Sequence, residues 1–251
     1  MGEWLFTTNL WELTGLSFVV LVAGIVRGAI GFGFSALVVA ACSFWLPPVA
    51  VVGLVVILEI VASVVMWKGI REDVKREVLM PLLLGGVPTI LLGVWLLSWM
   101  PPNWQQLIIA SYLVLVALAS LAGIQLRPSP GIGRIGIVGA IAGLYNGFAG
   151  IGGVFIALFL NASRVSVRDL RATMTVYFLL CEAVFFVGAW WNGIYNWSIF
   201  MTALLAVVPM WAGIWLGSHL FNRLPEVMLR RGVLIALLVL PVLGLLKVTF
   251  G

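Results

Sequence analysis

The stretch Gly24-Ile25-Val26-Arg27-Gly28-Ala29-Ile30-Gly31-Phe32-Gly33 returns 119 residues later as Gly143-Leu144-Tyr145-Asn146-Gly147-Phe148-Ala149-Gly150-Ile151-Gly152. Four glycines keep their places while Arg27 is answered by Asn146. Further matches follow in the same order: Trp67-Lys68-Gly69-Ile70 with Trp191-Asn192-Gly193-Ile194, and Pro88 with Gly93-Val94-Trp95-Leu96 against Pro209 with Gly213-Ile214-Trp215-Leu216. Any one match is cheap in a chain with 28 glycines and 12 tryptophans. Matches that keep their order along the chain point to a tandem duplication.

Both blocks lie in apolar runs that differ from the others in the chain. Crossing about 30 Å of hydrocarbon takes about 20 residues at 1.5 Å each. Ordinary spans of that length are 49–67, 78–99, 104–124, 170–191, 197–220 and 227–248. The run from Leu13 to Leu46 is too long for one untilted span and is interrupted by Arg27 between glycines. The run from Ile135 to Leu160 is broken by Gly143, Asn146, Gly147, Gly150, Gly152 and Gly153.

Composition agrees with a membrane location. Of 251 residues, 63% are hydrophobic and only 9% charged, against roughly 25% charged in soluble domains. So little charge cannot cover a globule with solvated surface, which excludes most soluble enzymes, nucleic-acid binders and disordered regulators. The net charge of +5 is a topology signal, because every basic residue except Arg27 and Lys247 falls in a gap between apolar runs or in the first few residues of a span. Cys42 and Cys181 lie inside apolar runs without metal-ligand spacing and read as small core residues. The segment Met1 to Trp11 carries no Lys or Arg, so a retained N-terminus is expected rather than a cleaved signal.

Charge also sets the relative orientation of the two copies. Lys68, Arg71, Lys75 and Arg76 occupy a loop whose counterpart, 192–196, is uncharged. Conversely, Arg164, Arg168 and Arg171 face an uncharged counterpart around Pro47-Pro48, and Arg223, Arg230 and Arg231 face the uncharged 100–103. Equivalent loops that are basic in one copy only lie on opposite sides of the membrane, so the repeats are expected to be inverted. Inversion needs an odd number of crossings per copy. Each broken run is therefore expected to enter and leave on one face, as a re-entrant hairpin of two half-helices meeting near the bilayer centre. The expected fold is an all-α integral membrane protein with two inverted-topology repeats, each one broken or re-entrant helical hairpin plus three transmembrane helices. Repeat 1 covers 1–124, a cytoplasmic linker 125–134 and repeat 2 135–251, with both termini outside. The alternative, eight plain helices, would split the basic loops between the two faces.

Arg27 is the most informative residue for function. An arginine at membrane depth is costly and faces a cavity and a partner, and its planar guanidinium matches an oxyanion through two donors. The alternative is permanent pairing with Glu59 or Glu182. The glycine blocks fit an anion site, because half-helices beginning near Gly28 and Gly147 would aim free N–H groups and positive dipole ends at the midplane. The candidate substrate-binding set is thus Arg27, Gly28, Gly31, Gly33, Tyr145, Asn146, Gly147, Gly150 and Gly152, although Gly-x-x-x-Gly also serves plain helix packing. Glu59 and Glu182 are the only acids inside spans. A carboxyl group at that depth can carry a coupling proton, or can simply be a fixed partner of Arg27. Ser35, Tyr145, Thr173, Thr175 and Tyr177 are weaker polar candidates, His219 is interfacial, and the tryptophans cluster at span ends as an aromatic belt. There is no HExxH, GxSxG or Walker loop, so no enzyme, metal or cofactor is expected.

Two hydrophobic halves that each open with Gly-x-x-x-Gly-x-x-Gly-x-Gly, the first followed by Pro47-Pro48, resemble the TauE/SafE family, also called the toluenesulfonate uptake permease family. The resemblance covers essentially the whole chain. It implies a secondary transporter of sulfite, sulfoacetate or related organosulfonates in a bacterial or archaeal inner membrane. The proline that often follows the second glycine block in that family is missing, and 161–166 stands there instead. The expected partners are a small anion and membrane lipid, without nucleic acid, and a homodimer is compatible. Expected coupling is to protons. A passive anion channel and a membrane scaffold without flux are the other readings.

Overall fold

A computed structural model describes residues 10–43, 45–67, 71–122, 131–160 and 167–220. The described residues form helices and no strand, as expected where lipid offers the backbone no hydrogen bonds and each segment must satisfy its own. In order they are α1 (Leu10–Ile30), α2 (Phe34–Cys42), α3 (Pro48–Met66), a 3-10 turn at Arg71–Asp73, α4 (Arg76–Trp99), α5 (Pro102–Leu121), α6 (Ile132–Ala149), α7 (Gly152–Leu160), α8 (Val167–Trp191) and α9 (Trp197–Leu220). Six of these, α1, α3, α4, α6, α8 and α9, are long and apolar enough to cross a membrane. The segments read as 49–67, 78–99, 170–191 and 197–220 therefore reappear nearly unchanged, and 104–124 is realised as α5. The segment 227–248 lies outside the described residues.

The broken runs differ from expectation in where they break and how unevenly. Neither is a pair of half-helices. The first arms, α1 with 21 residues and α6 with 18, are each long enough to cross alone, whereas α2 and α7 have 9 residues each. The second arms begin at Phe34 and Gly152, not near Gly28 and Gly147, which lie inside α1 and α6. A glycine inside a helix costs only about 1 kcal/mol relative to alanine, which tertiary packing overrides. The chain breaks where the backbone turns left-handed, at Gly31 (φ 91°), Gly33 (φ 90°) and Gly150 (φ 67°), a region that glycine enters without steric cost.

The in-helix glycines of both blocks serve close packing instead. A Cβ on Gly28 would lie 2.9 Å from Ile214 Cα of α9, and one on Gly147 equally close to Ile90 Cα of α4. Such bare surfaces let backbones approach, the main route to helix association in lipid. Contacts along each pair advance together. Gly24 meets Met210 and Gly28 meets Ile214, so α1 and α9 run parallel; Gly139 meets Leu82, Gly143 meets Gly86 and Gly147 meets Ile90, so α4 and α6 do too. α2 folds back along α1 far enough to bring Trp45 beside Gly15.

Contacts between the helix ends gather into two groups. In one, the Lys75 backbone N–H donates to Thr173 Oγ1 at 3.0 Å, Lys75 pairs with Asp169 at 3.3 Å, and Arg168 pairs with Asp73 at 3.2 Å. In the other, Gln106 Nε2 donates to the Ser43 carbonyl at 3.1 Å and Ser98 Oγ meets Asn192 Oδ1 at 3.4 Å. Outward faces expose large apolar side chains, among them Phe18, Leu84, Val208, Trp99 and Trp191. Such a surface suits lipid and would aggregate in water.

Candidate functional site

Arg27 occupies the last turn of α1, four residues before the left-handed Gly31, and no part of it is exposed. Its Nη1 donates to the Gly31 carbonyl at 2.6 Å, which closes the break on itself and places a cation at the negative end of the α1 dipole. Nη2 donates to Ser63 Oγ at 3.1 Å and lies 3.0 Å from Glu59 Oε2, both on α3. The guanidinium carbon sits 4.6 Å from the centre of the Phe178 ring of α8, a cation–π contact. Two donor edges are thus used unequally. Arg27 Nε has no hydrogen-bond partner, and neither oxygen of Glu59 accepts a hydrogen bond of regular geometry despite the short ion-pair distance.

The second block builds a related centre without a cation. Asn146 of α6 donates from Nδ2 to Glu182 Oε1 of α8 at 3.0 Å, and its Oδ1 accepts the Gly152 N–H at 3.3 Å across the second break. Glu182 Oε2 has no partner. Glu182 lies one helical turn beyond Phe178, so α8 carries both the ring that covers Arg27 and the carboxylate that holds Asn146. One guanidinium and two carboxyl groups therefore share a buried region where α1, α3, α6 and α8 meet.

The other sequence candidates divide clearly. Gly31, Gly33, Gly150 and Gly152 form the two breaks, and at Gly31 a Cβ would also strike the Arg171 side chain at 2.5 Å from its Cγ. Gly28 and Gly147 are explained by packing on α9 and α4. Tyr145 stacks on Tyr112 of α5, ring centres 3.9 Å apart. Thr175 bonds the Arg171 carbonyl of its own helix, Thr173 receives the Lys75 N–H, and Ser35 is buried in α2. His219 contacts Trp215 near the end of α9. Cys42 and Cys181 are buried free thiols.

Ser63 and Phe178 belong to this centre and were missed from sequence. Ser63 was findable, since Glu59 and Ser63 are four residues apart on a helix and share one face. Phe178 is one of 14 phenylalanines, and nothing local distinguishes it. Among the described residues no group of three His, Cys, Asp or Glu could hold a metal ion.

The geometry offers a buried cation with one unpartnered donor, and two buried carboxyl groups. A buried guanidinium of this kind suits recognition of a small oxyanion. No curated protein and no solved structure matches the chain. A family profile described as sulfite exporter TauE/SafE matches residues 16–243, nearly the whole length. With its helices long and apolar enough to cross a membrane several times, the chain is a multi-pass membrane protein and belongs to the sulfite exporter TauE/SafE family.

Proposed function

We propose that the protein is a secondary transporter of a small sulfur-containing anion, sulfite or an organosulfonate, bound near the membrane midplane between two inverted repeats. Sulfite as the substrate class comes from the family description. The observation that carries the reading is Arg27: a fully buried guanidinium at a helix break, with an unpartnered Nε, paired with the carboxyl group of Glu59. Burying such a charge is too costly to persist without a role or a partner. Substrate sites at discontinuous helices are usual in inverted-repeat transporters. We narrow the binding set to Arg27, Gly31, Gly33, Asn146, Gly150 and Gly152, with Glu59 and Glu182 as proton carriers.

Support for inversion comes from the parallel pairs α1–α9 and α4–α6, in which each broken helix packs on the fourth helix of the other copy. The contacts joining Asp73 and Lys75 to Arg168, Asp169 and Thr173 favour one membrane face for both basic loops. By the positive-inside rule that face is cytoplasmic, in a bacterial or archaeal inner membrane with both termini outside. The return of Trp45 to Gly15 favours re-entry of the first hairpin. On this reading 1–124 and 135–251 are the repeats, joined by the cytoplasmic linker 125–134, and lipid is the surrounding partner.

Flux of sulfite in proteoliposomes tests the proposal. Accumulation against its gradient under an imposed pH difference is expected. Flux that only follows the sulfite gradient and membrane potential would make the protein a channel, and absence of flux would make it a scaffold.

A further inference from the structure

We infer that Glu59 is a built-in competitor for the anion: substrate displaces its carboxylate from Arg27, and the displaced Glu59 leaves the pair as the neutral acid, so that binding takes up one proton. This rests on the sulfur-anion reading above.

The argument starts from the quality of the ion pair. Arg27 and Glu59 are 3.0 Å apart and both wholly buried, but the carboxylate touches only Nη2, and it does so without regular hydrogen-bond geometry. The firm bonds of the guanidinium go elsewhere, Nη1 to the Gly31 carbonyl and Nη2 to Ser63 Oγ. Nε, beside Nη2 on the same edge, has no partner at all. Glu59 thus neutralises Arg27 while leaving its two-donor edge half used. An oxyanion with two oxygens on one sulfur fills both positions, the arrangement in which guanidinium–oxyanion pairs are strongest. The bonds to Gly31 and Ser63 and the Phe178 ring hold the cation in place during the exchange.

Charge then dictates the fate of Glu59. Once the anion holds Arg27, an ionised Glu59 is a buried carboxylate that has lost its ion-pair partner and lies beside the new anion. The bond that forms is O–H on Glu59, with a proton drawn from the compartment that supplied the substrate. No other bond is made or broken. The charged and titratable groups on the helices around α3 are few near its middle. Arg27 comes from α1, Glu182 with Tyr177 and Cys181 from α8, Tyr112 from α5 and Tyr145 from α6. Cys42 ends α2, and His219 of α9 and the charged first turn of α8 lie at helix ends. Arg171 of α8 packs against Gly31, whose carbonyl holds Arg27 Nη1, and donates to Ser218 of α9; Arg27 is the cation that pairs with Glu59.

The test is sulfite affinity of the purified full-length protein against pH for wild type, Glu59→Gln and Glu59→Asp. Glu59→Gln removes the competitor and is expected to bind about tenfold or more tightly. Near neutrality wild-type affinity should fall by up to about tenfold more per unit rise in pH than that of Glu59→Gln, since one proton fewer is taken up by the variant. The protonation of sulfite itself is common to both proteins, so the difference in slope isolates Glu59. Glu59→Asp keeps the charge with a shorter reach and should bind more tightly than wild type with the wild-type slope. It also covers the case in which the glutamine variant fails to fold. Sulfite should raise the melting temperature of Glu59→Gln more than that of wild type, because its Arg27 lacks a counter-charge until the anion arrives. Equal slopes, or affinity unchanged or weakened in both variants, would overturn the inference while leaving the transport reading intact. A wild-type protein that binds no sulfite overturns that reading as well.

Discussion

The two hairpins share a backbone and differ in charge. Each begins with a long helix that ends at a left-handed glycine, Gly31 or Gly150, and continues as a helix of 9 residues. Each uses a polar side chain at the same repeat position to tie the break together. Arg27 donates to the carbonyl left at the end of α1, whereas Asn146 accepts the N–H at the start of α7. Both residues also reach across to a glutamate on the helix that follows the hairpin, Glu59 on α3 and Glu182 on α8. The two hairpins therefore carry one charged and one neutral version of the same knot. A matched pair of arginines would repel one another and demand two counter-ions, while one arginine suits a single small anion.

Removing the charge of the first hairpin should produce the largest effect. Arg27→Ala is expected to abolish sulfite binding, and it strands Glu59, a loss of about 3–5 kcal/mol while Glu59 stays ionised. Combining it with Glu59→Gln should restore much of the thermal stability but none of the binding. Arg27→Lys keeps the charge yet loses the planar two-donor edge, so binding should weaken at least about tenfold. Wild-type affinity in the alanine variant would make the two hairpins functionally equivalent and Arg27 purely structural.

The breaks themselves sharpen the comparison. Gly31→Ala meets both a left-handed backbone and the Arg171 side chain, whereas Gly150→Ala meets the backbone term alone, its nearest neighbour being Val52 Cγ1 at 3.7 Å. We expect a loss of about 3 kcal/mol for the first and about 1–2 kcal/mol for the second, from the cost of a left-handed alanine plus a clash. Thermal denaturation in detergent measures both. Equal losses would indicate that Arg171 moves aside freely.

On the neutral side, Asn146→Ala leaves the Gly152 N–H and Glu182 Oε1 unpaired, a cost of about 1–3 kcal/mol. Sulfite affinity should fall less than for Arg27→Lys, and an equal or greater fall would mean that the second hairpin holds the anion as firmly as the first. The smallest effect belongs to the pair between Asp73 and Arg168, whose arginine side chain is 80% exposed. Arg168→Ala should cost under about 1 kcal/mol and lose its effect at high salt.

The sequence carried much of this comparison because its signals are local. Helices and their ends followed from apolar length, as with 197–220, found as α9, and the glycine blocks located both breaks to within a few residues. The error at Gly28 and Gly147 is instructive. A glycine needed for a positive φ and one needed for a close helix contact look identical in sequence, and only the neighbouring backbone of Ile214 or Ile90 tells them apart. The stacking of Tyr145 on Tyr112, a residue of another helix, is likewise not legible in the sequence.

What the amino-acid sequence determined by itself was the membrane setting, the segment lengths, the matched glycine blocks and the presence of one arginine and two glutamates inside apolar runs. Those depend on hydropathy, spacing and chain length, which are properties of contiguous residues. Tertiary structure decided which glutamate meets Arg27, that Ser63 and Phe178 complete its surroundings, and that α1 leans on α9 while α6 leans on α4. Each of these is a contact between residues far apart in the chain. In lipid such contacts are chosen by how closely small residues let helices approach and by which buried polar groups find partners, terms that no single segment contains.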